Sequence, residues 1–464
     1  MPLARIFYIL FLVLLAYLPH QGDFHLIFPL YSVSFALYFW VLWHVERGWL
    51  RELDFFSWVV VAVLVRVLLL PVLPGLSDDV YRFIWDGRLG ARGLEVLAHL
   101  PVWYMQSGHE VEGLTPELFE QLNSPEYFTI YPPAAQAVFT LSAYCFPHGI
   151  RASVILIRLF LLACELGSLF LLLRILGELE LPKRRALIYA LNPLIVVEIT
   201  GNLHFEGAMI FFFLLFVWLF LKGRVLLSAW SFALSIASKL LSLMFLPALL
   251  AGMLWGRLSP NVIRQKKSGF LVLPWFGTLL VALLLLFWPF FHGFFVSHFG
   301  ESLDLYFRKF EFNASVYYLL RWLRYLQLGY NDIHRLGPLL GVMAGLIILG
   351  LAWWRRRGDF RDFLETCFWS FVIYLLFATI VHPWYLSFPV LLAVFFRKSP
   401  PYFILWWSYA ISWTYINYSY PVYTENLWIV ALEYVSVFLV WIWEKTSGAA
   451  TDDDDTFELE RESV

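Results

Sequence analysis

Phe55 to Leu73 reads FFSWVVVAVLVRVLLLPVL, and past Pro74-Gly75 the chain changes character at once: Leu76 to Arg88 reads LSDDVYRFIWDGR. The first stretch is apolar over the length of a membrane-crossing helix, and the second crowds three carboxylates and two guanidiniums at its end. On a helix Asp78, Arg82 and Asp86 follow one another at intervals of four, so acids and Arg82 share one side while Val80, Phe83 and Ile84 take the other. The pattern predicts an amphipathic segment in the membrane interface, apolar side in lipid and charged side toward a site enclosed by the rest of the chain. A solvated helix with internal ion pairs is the plainer alternative.

Composition extends this reading to the whole chain. With 61% hydrophobic, 20% aromatic and 15% charged residues and a mean hydropathy of +0.70, its apolar surface exceeds what a water-soluble domain can bury. Apolar runs of helical length, with 22 Trp and 24 Tyr suited to interfacial belts, favour an all-α polytopic bundle over a barrel. The net charge of -2 and the scattered basic residues give no nucleic-acid footprint. Cys145, Cys164 and Cys367 sit in apolar surroundings without metal-ligand spacing and read as small buried hydrophobes.

Lys and Arg in short loops mark the cytoplasmic side. Arg47 with Arg51, Lys183 to Arg185, Lys222 with Arg224, the group Arg257, Arg264, Lys266 and Lys267, and Arg355 to Arg357 alternate with apolar runs to give about 13 to 14 crossings over one membrane domain, 1–446. The acidic end, 447–464, reads as disordered. Two long loops, 74–130 and 292–334, fall on the extracytoplasmic side and carry interfacial helices. The run after Tyr131-Pro132-Pro133 is short for a crossing. The run 226–254, basic at both ends, is expected to break into two short helices at Ser238-Lys239.

This topology collects Asp78, Asp79, His204, Glu206, Lys239, Arg308, Lys309, Asn313 and His382 on one face. Singly each has a dull reading: His204 caps a helix, Lys239 snorkels, His382 bonds a carbonyl in its turn. Charged groups cost roughly 2.5 to 3.5 kcal/mol at a membrane centre and less toward its border, so convergence from distant segments favours a functional cavity. Acids that take a proton from a hydroxyl, with cations that receive a departing phosphate, fit glycosyl transfer from a lipid-phosphate sugar. A lipid-linked sugar flippase or transporter uses the same inventory, but is expected to place it near the midplane and to show internal repeats. A non-catalytic scaffold is the third reading.

Ser77-Asp78-Asp79-Val80-Tyr81-Arg82 with Trp85-Asp86-Gly87-Arg88, Tyr131-Pro132-Pro133, Asn192-Pro193, His204-Phe205-Glu206-Gly207, Ser238-Lys239, Phe312-Asn313-Ala314-Ser315 and His382-Pro383-Trp384-Tyr385 occur in this order. Together they resemble the GT-C superfamily of polyprenyl-phosphate-sugar-dependent glycosyltransferases, in particular its bacterial mannosyltransferase-like members. The resemblance implies an inverting enzyme of the bacterial plasma membrane with its active site outside. Its donor is a polyprenyl-phosphate sugar, commonly mannose, and its acceptor a glycan or lipid. The catalytic acids are Asp78 and Asp79, with Asp78 favoured as base and Asp79 left to orient sugar, bind a cation or pair with Arg82. Substrate-binding positions are Tyr81, Arg82, Asp86, Tyr131, His204, Glu206, Lys239, Arg308, Lys309, Asn313 and His382. Family members often carry Asn or Asp where Glu206 stands. Acids beside a phosphate also leave room for a divalent cation, Mg or Mn, although no ligand spacing demands one.

Overall fold

The computed structural model describes residues 2–255, 258, 268–291, 295–420 and 423–447. The basic group Arg257, Arg264, Lys266 and Lys267 and the acidic tail from Thr451 lie outside the described residues. The described chain is helical throughout, and its nearest approach to a sheet is the isolated parallel bridge between Phe312 and Ile380.

The helices Phe24–Glu46, Ile150–Glu178, Val272–Phe290, Ile333–Trp354 and Leu427–Thr446 are each long and apolar enough to cross a membrane. A sixth crossing is formed if Pro193–Gly201 and Glu206–Leu221, bent at 109° to one another, count as one. Elsewhere Pro2–Tyr17 falls below spanning length, Val225–Ser238 and Leu240–Trp255 are the two short helices expected within 226–254, Pro383–Ala393 is short as well, and Tyr402–Ala410 continues as the 3-10 helix Ile411–Ser419. The polytopic all-α architecture stands, with broken and half-length helices where continuous spans were expected.

Three breaks build the site. Asn192 caps the chain entering Pro193–Ile195 by accepting from the backbone N–H groups of Leu194 and Ile195 at 3.0 and 3.4 Å, with Pro193 at the first helical position. A π-helical turn, Val196–Gly201, follows, and Leu203 stands at φ +67°, a left-handed conformation a leucine rarely adopts. The third break is at Lys239, extended between the Val225–Ser238 helix and the 3-10 turn Leu240–Phe245, where the sequence placed it.

The amphipathic segment is a real helix, Asp79–Ala91, but its apolar side meets protein and not lipid. It packs on the Pro133–Cys145 helix, with Phe83 stacked on Phe139 at 4.5 Å between ring centroids. Gly87 makes the approach possible: a Cβ there would stand 2.3 Å from the Phe139 carbonyl oxygen. Phe83, Ile84 and Trp85 form, with Phe139, Leu203 and Phe205, a second apolar core beside the main bundle core. The sequence shows the helix's two faces but not what covers them.

Candidate active site

A cavity of about 400 Å³ opens where the first long loop meets the broken helices. Asp78, Asp79 and Tyr131 line one wall, Lys239 and the His382-Pro383-Trp384-Tyr385 turn another, and Tyr415, Tyr418 and Tyr423 a third.

The two acids differ. Both oxygens of Asp79 are held: Asn123 donates its amide N–H to Oδ1 at 2.8 Å and the Tyr131 hydroxyl donates to Oδ2 at 3.0 Å. Asp78 heads the helix without a side-chain cap bond, and among the described residues no hydrogen bond reaches its carboxylate. The cavity walls desolvate it and the neighbouring Asp79 charge adds to the effect, holding its carboxyl above the usual carboxylate range. An accessible, unengaged carboxylate with raised proton affinity is suited to accept a proton; a doubly bonded one is suited to orient.

Facing them, Lys239 pairs with the buried Glu206 at 2.6 Å and its ammonium lies 5.7 Å from the Tyr385 ring centroid. At the cavity's back, Trp384 stacks on His204 at 3.6 Å and on His382 at 4.4 Å. Desolvation pushes the His382 imidazole down to about 3, so at neutral pH it is an uncharged hydrogen-bonding group and not a cation for phosphate.

Other expected site residues are placed differently. Arg82 donates to Asp86 at 2.8 Å and to the carbonyls of Ser124 and Tyr127 at 3.1 and 2.8 Å, while Gln136 donates to the other Asp86 oxygen at 2.8 Å. Arg82 does reach the cavity wall, but Asp86 is fully buried and saturated, so this cluster fastens the loop to the helix. Tyr81 does not line the cavity. Asn313, left-handed at φ +48°, donates from its backbone to Glu425 at 2.5 Å and from its side chain to Glu433 at 3.1 Å, pinning the second loop to the Leu427–Thr446 helix. Arg308 pairs with Asp304 at 2.7 Å with its side chain 49% exposed, and Lys309 is exposed; neither lines the cavity, although Leu305 and Phe310 do. The basic pair expected to receive a leaving phosphate therefore lies outside the cavity, and the cations lining it among the described residues are Lys239 and Arg82, the latter held by Asp86 and two carbonyls.

Two residues passed over in the sequence belong to the site. Asn123 holds Asp79 from a loop position with no local signal. Glu198 is fully buried within 3.4 Å of His204 Nε2, and its signal was plain: an acid inside the apolar run LIVVEITG. Among the described residues no group of three His, Cys, Asp or Glu side chains gathers at a metal-holding spacing.

Fold and cavity together define a polytopic membrane protein with an acid pair set against a single lysine in an aromatic-walled pocket. Residues 14–257, more than half the chain, match the MptA/B family, described as the Alpha-(1->6)-mannopyranosyltransferase N-terminal domain, and the protein belongs to that family. The chain is also similar to Alpha-(1->6)-mannopyranosyltransferase A of Mycobacterium tuberculosis, at 26% identity over 354 residues covering 70% of this chain and 62% of that protein. The matched family region includes Asp78, Asp79, Tyr131, Glu198, His204, Glu206 and Lys239.

Proposed function

We propose that the protein is an inverting membrane mannosyltransferase that moves mannose from a polyprenyl-phosphate donor to a glycan or lipid acceptor on the extracytoplasmic face, forming an α-(1→6) linkage. The observation that carries the reading is the unengaged, accessible Asp78 beside a fixed Asp79 in one cavity with Lys239, in a chain of the MptA/B family.

In the proposed step the acceptor hydroxyl oxygen attacks the anomeric carbon from the face opposite the phosphate. The bond from that carbon to the phosphate oxygen breaks, its electron pair leaves with the phosphate, and the hydroxyl proton passes to Asp78. Asp79, held by Asn123 and Tyr131, orients donor or acceptor hydroxyls. Lys239 meets the charge that grows on the phosphate, a contribution made mainly in the transition state. The aromatic wall of Tyr415, Tyr418, Tyr423 and Trp384 suits the apolar faces of sugar rings. A second cleft of about 1130 Å³, lined by Leu94, Leu97, Leu141, Phe212, Leu234 and Leu285 among others, offers an apolar bed for a prenyl chain. No step is assigned to a metal ion.

The test is purified protein in nanodiscs and in proteoliposomes, given radiolabelled polyprenyl-phosphate mannose and a mannan oligosaccharide. Label is expected in the glycan at a new 1→6 linkage. Label that crosses the liposome bilayer on the intact lipid and never enters glycan would replace the enzyme with a flippase.

A further inference from the structure

Glu198 is an acid with no role in the step just described, and its surroundings are unusual. Its carboxylate accepts from the Tyr415 hydroxyl at 2.6 Å, the Asn202 amide at 3.0 Å and the Tyr31 hydroxyl at 3.3 Å. Those bonds alone describe a structural tie between separate helices. Three further features point past it toward Asp79. The acid lies on the π-helical turn Val196–Gly201, a distortion found most often at functional sites. The chain then forces Leu203 to φ +67°, a strain that immediately precedes His204 and fixes where that side chain emerges. His204 itself is buried with its Nε2 lacking a hydrogen-bond partner, 3.4 Å from Glu198 Oε2, while its Nδ1 lies 3.9 Å from Asp79 Oδ2. Its backbone N–H is also tied to the Glu198 carbonyl at 3.2 Å, and its ring lies against Trp384. One imidazole thus spans two carboxylates, held at its face by an aromatic ring and at its backbone by the very residue that faces its far edge.

We infer that Glu198 and His204 form a positioning arm for Asp79, Glu198 orienting the imidazole and the imidazole holding the Asp79 carboxylate in register beside Asp78. The inference rests on the proposed function for its kinetic consequence, and its geometry stands apart from it. Neither contact is a formed hydrogen bond here, at 3.4 and 3.9 Å; contacts between catalytic groups are often loose before substrate tightens the site. The other polar and titratable groups around the arm are Tyr31, Asn202, Tyr415 and Tyr418 on the bundle side and Lys239 and His382 across the cavity. Because Tyr415 also lines the cavity, Glu198 anchors two of its walls at once.

The variants are Glu198→Gln and His204→Gln in the full-length protein in nanodiscs, with two readouts. Hydrogen exchange followed by mass spectrometry should show faster exchange at residues 77–83, around Asp79, in both variants. In transfer assays both should lose about tenfold in kcat with the donor KM within about threefold, the split expected when a transition-state alignment is lost and ground-state binding is kept. Glu198→Gln keeps an acceptor for Tyr415, so a folded variant is expected. If exchange rises only around Tyr31 and Tyr415 and residues 77–83 match the wild type, Glu198 is a structural tie and the arm is wrong. The arm is equally wrong if both variants keep wild-type kcat. If the wild type itself transfers no mannose, the proposed function falls, and the exchange measurement still decides the arm.

Discussion

The start and the middle of the Asp79–Ala91 helix carry the same residue type to opposite purposes. Asp86 is fully buried, with one oxygen bound to Arg82 and the other to Gln136, and Arg82 goes on to hold the carbonyls of Ser124 and Tyr127. Asp78, two turns earlier, lines the cavity with no hydrogen-bonding partner among the described residues. Charge that is fully buried with both oxygens bonded is architecture: it fixes a loop, and breaking it strands the partner. Charge left open to a cavity is available for chemistry. A contrast of position and not of pairing separates Lys239, which lines the cavity while paired with Glu206, from Arg308, paired with Asp304 outside it.

The comparison breaks most readily at Asp78. Asp78→Asn should lower mannosyl transfer by at least about two orders of magnitude, the loss expected when a positioned base is removed, with folded yield unchanged. In mid-helix, Asp86→Ala leaves the Arg82 guanidinium buried without its partner carboxylate. A cost of about 3 to 5 kcal/mol is expected, seen as a collapse of monodisperse protein on size exclusion and a lower melting temperature.

Lys239→Gln sharpens the inside-outside contrast. At saturating donor its kcat should fall by roughly tenfold or more, as when a group stabilising a developing anion is removed. Glu206, now unpaired, should reduce stability as well, and adding Glu206→Gln should restore folded yield without restoring turnover. Because walls and neighbour hold Asp78 above the usual carboxylate range, kcat/KM should fall as pH drops through that raised value. Its acid limb therefore lies above the ordinary aspartate pKa of about 3.9. The smallest effect is expected at the surface: Arg308→Ala and Lys309→Ala should leave kcat within about twofold, since exposed ion pairs contribute about 0 to 1 kcal/mol. A large fall in either would move the leaving-group site from Lys239 to the loop.

The sequence allowed the helical bundle, the break at Lys239, the short helix after Pro132-Pro133 and the grouping of Asp78, Asp79, Lys239 and His382 to be read from hydropathy and basic loops, while Tyr131 came in only through the family resemblance. It did not separate Asp78 from Asp86, since an i, i+4 and an i, i+8 spacing put both on one side and only the Pro133–Cys145 helix decides which is sealed. Asn313 resembled a substrate ligand, yet it is the left-handed pivot of a loop bound by Glu425 and Glu433, residues more than a hundred positions away. Glu198 carried the clearest unused signal. Its apolar flanks satisfied a hydropathy reading of the span, and that same apolarity is what makes a buried acid there costly enough to require a reason.

The most direct measurement is turnover per folded molecule of Asp78→Asn and Asp86→Asn, assayed side by side in nanodiscs with labelled polyprenyl-phosphate mannose and a mannan acceptor. Asp78→Asn is expected to yield normal amounts of folded, inactive protein, and Asp86→Asn to yield little protein whose folded fraction still transfers mannose within about tenfold of the wild type. Folded Asp78→Asn that turns over like the wild type, beside folded Asp86→Asn that is inactive, would contradict this assignment and place the chemistry at Asp86.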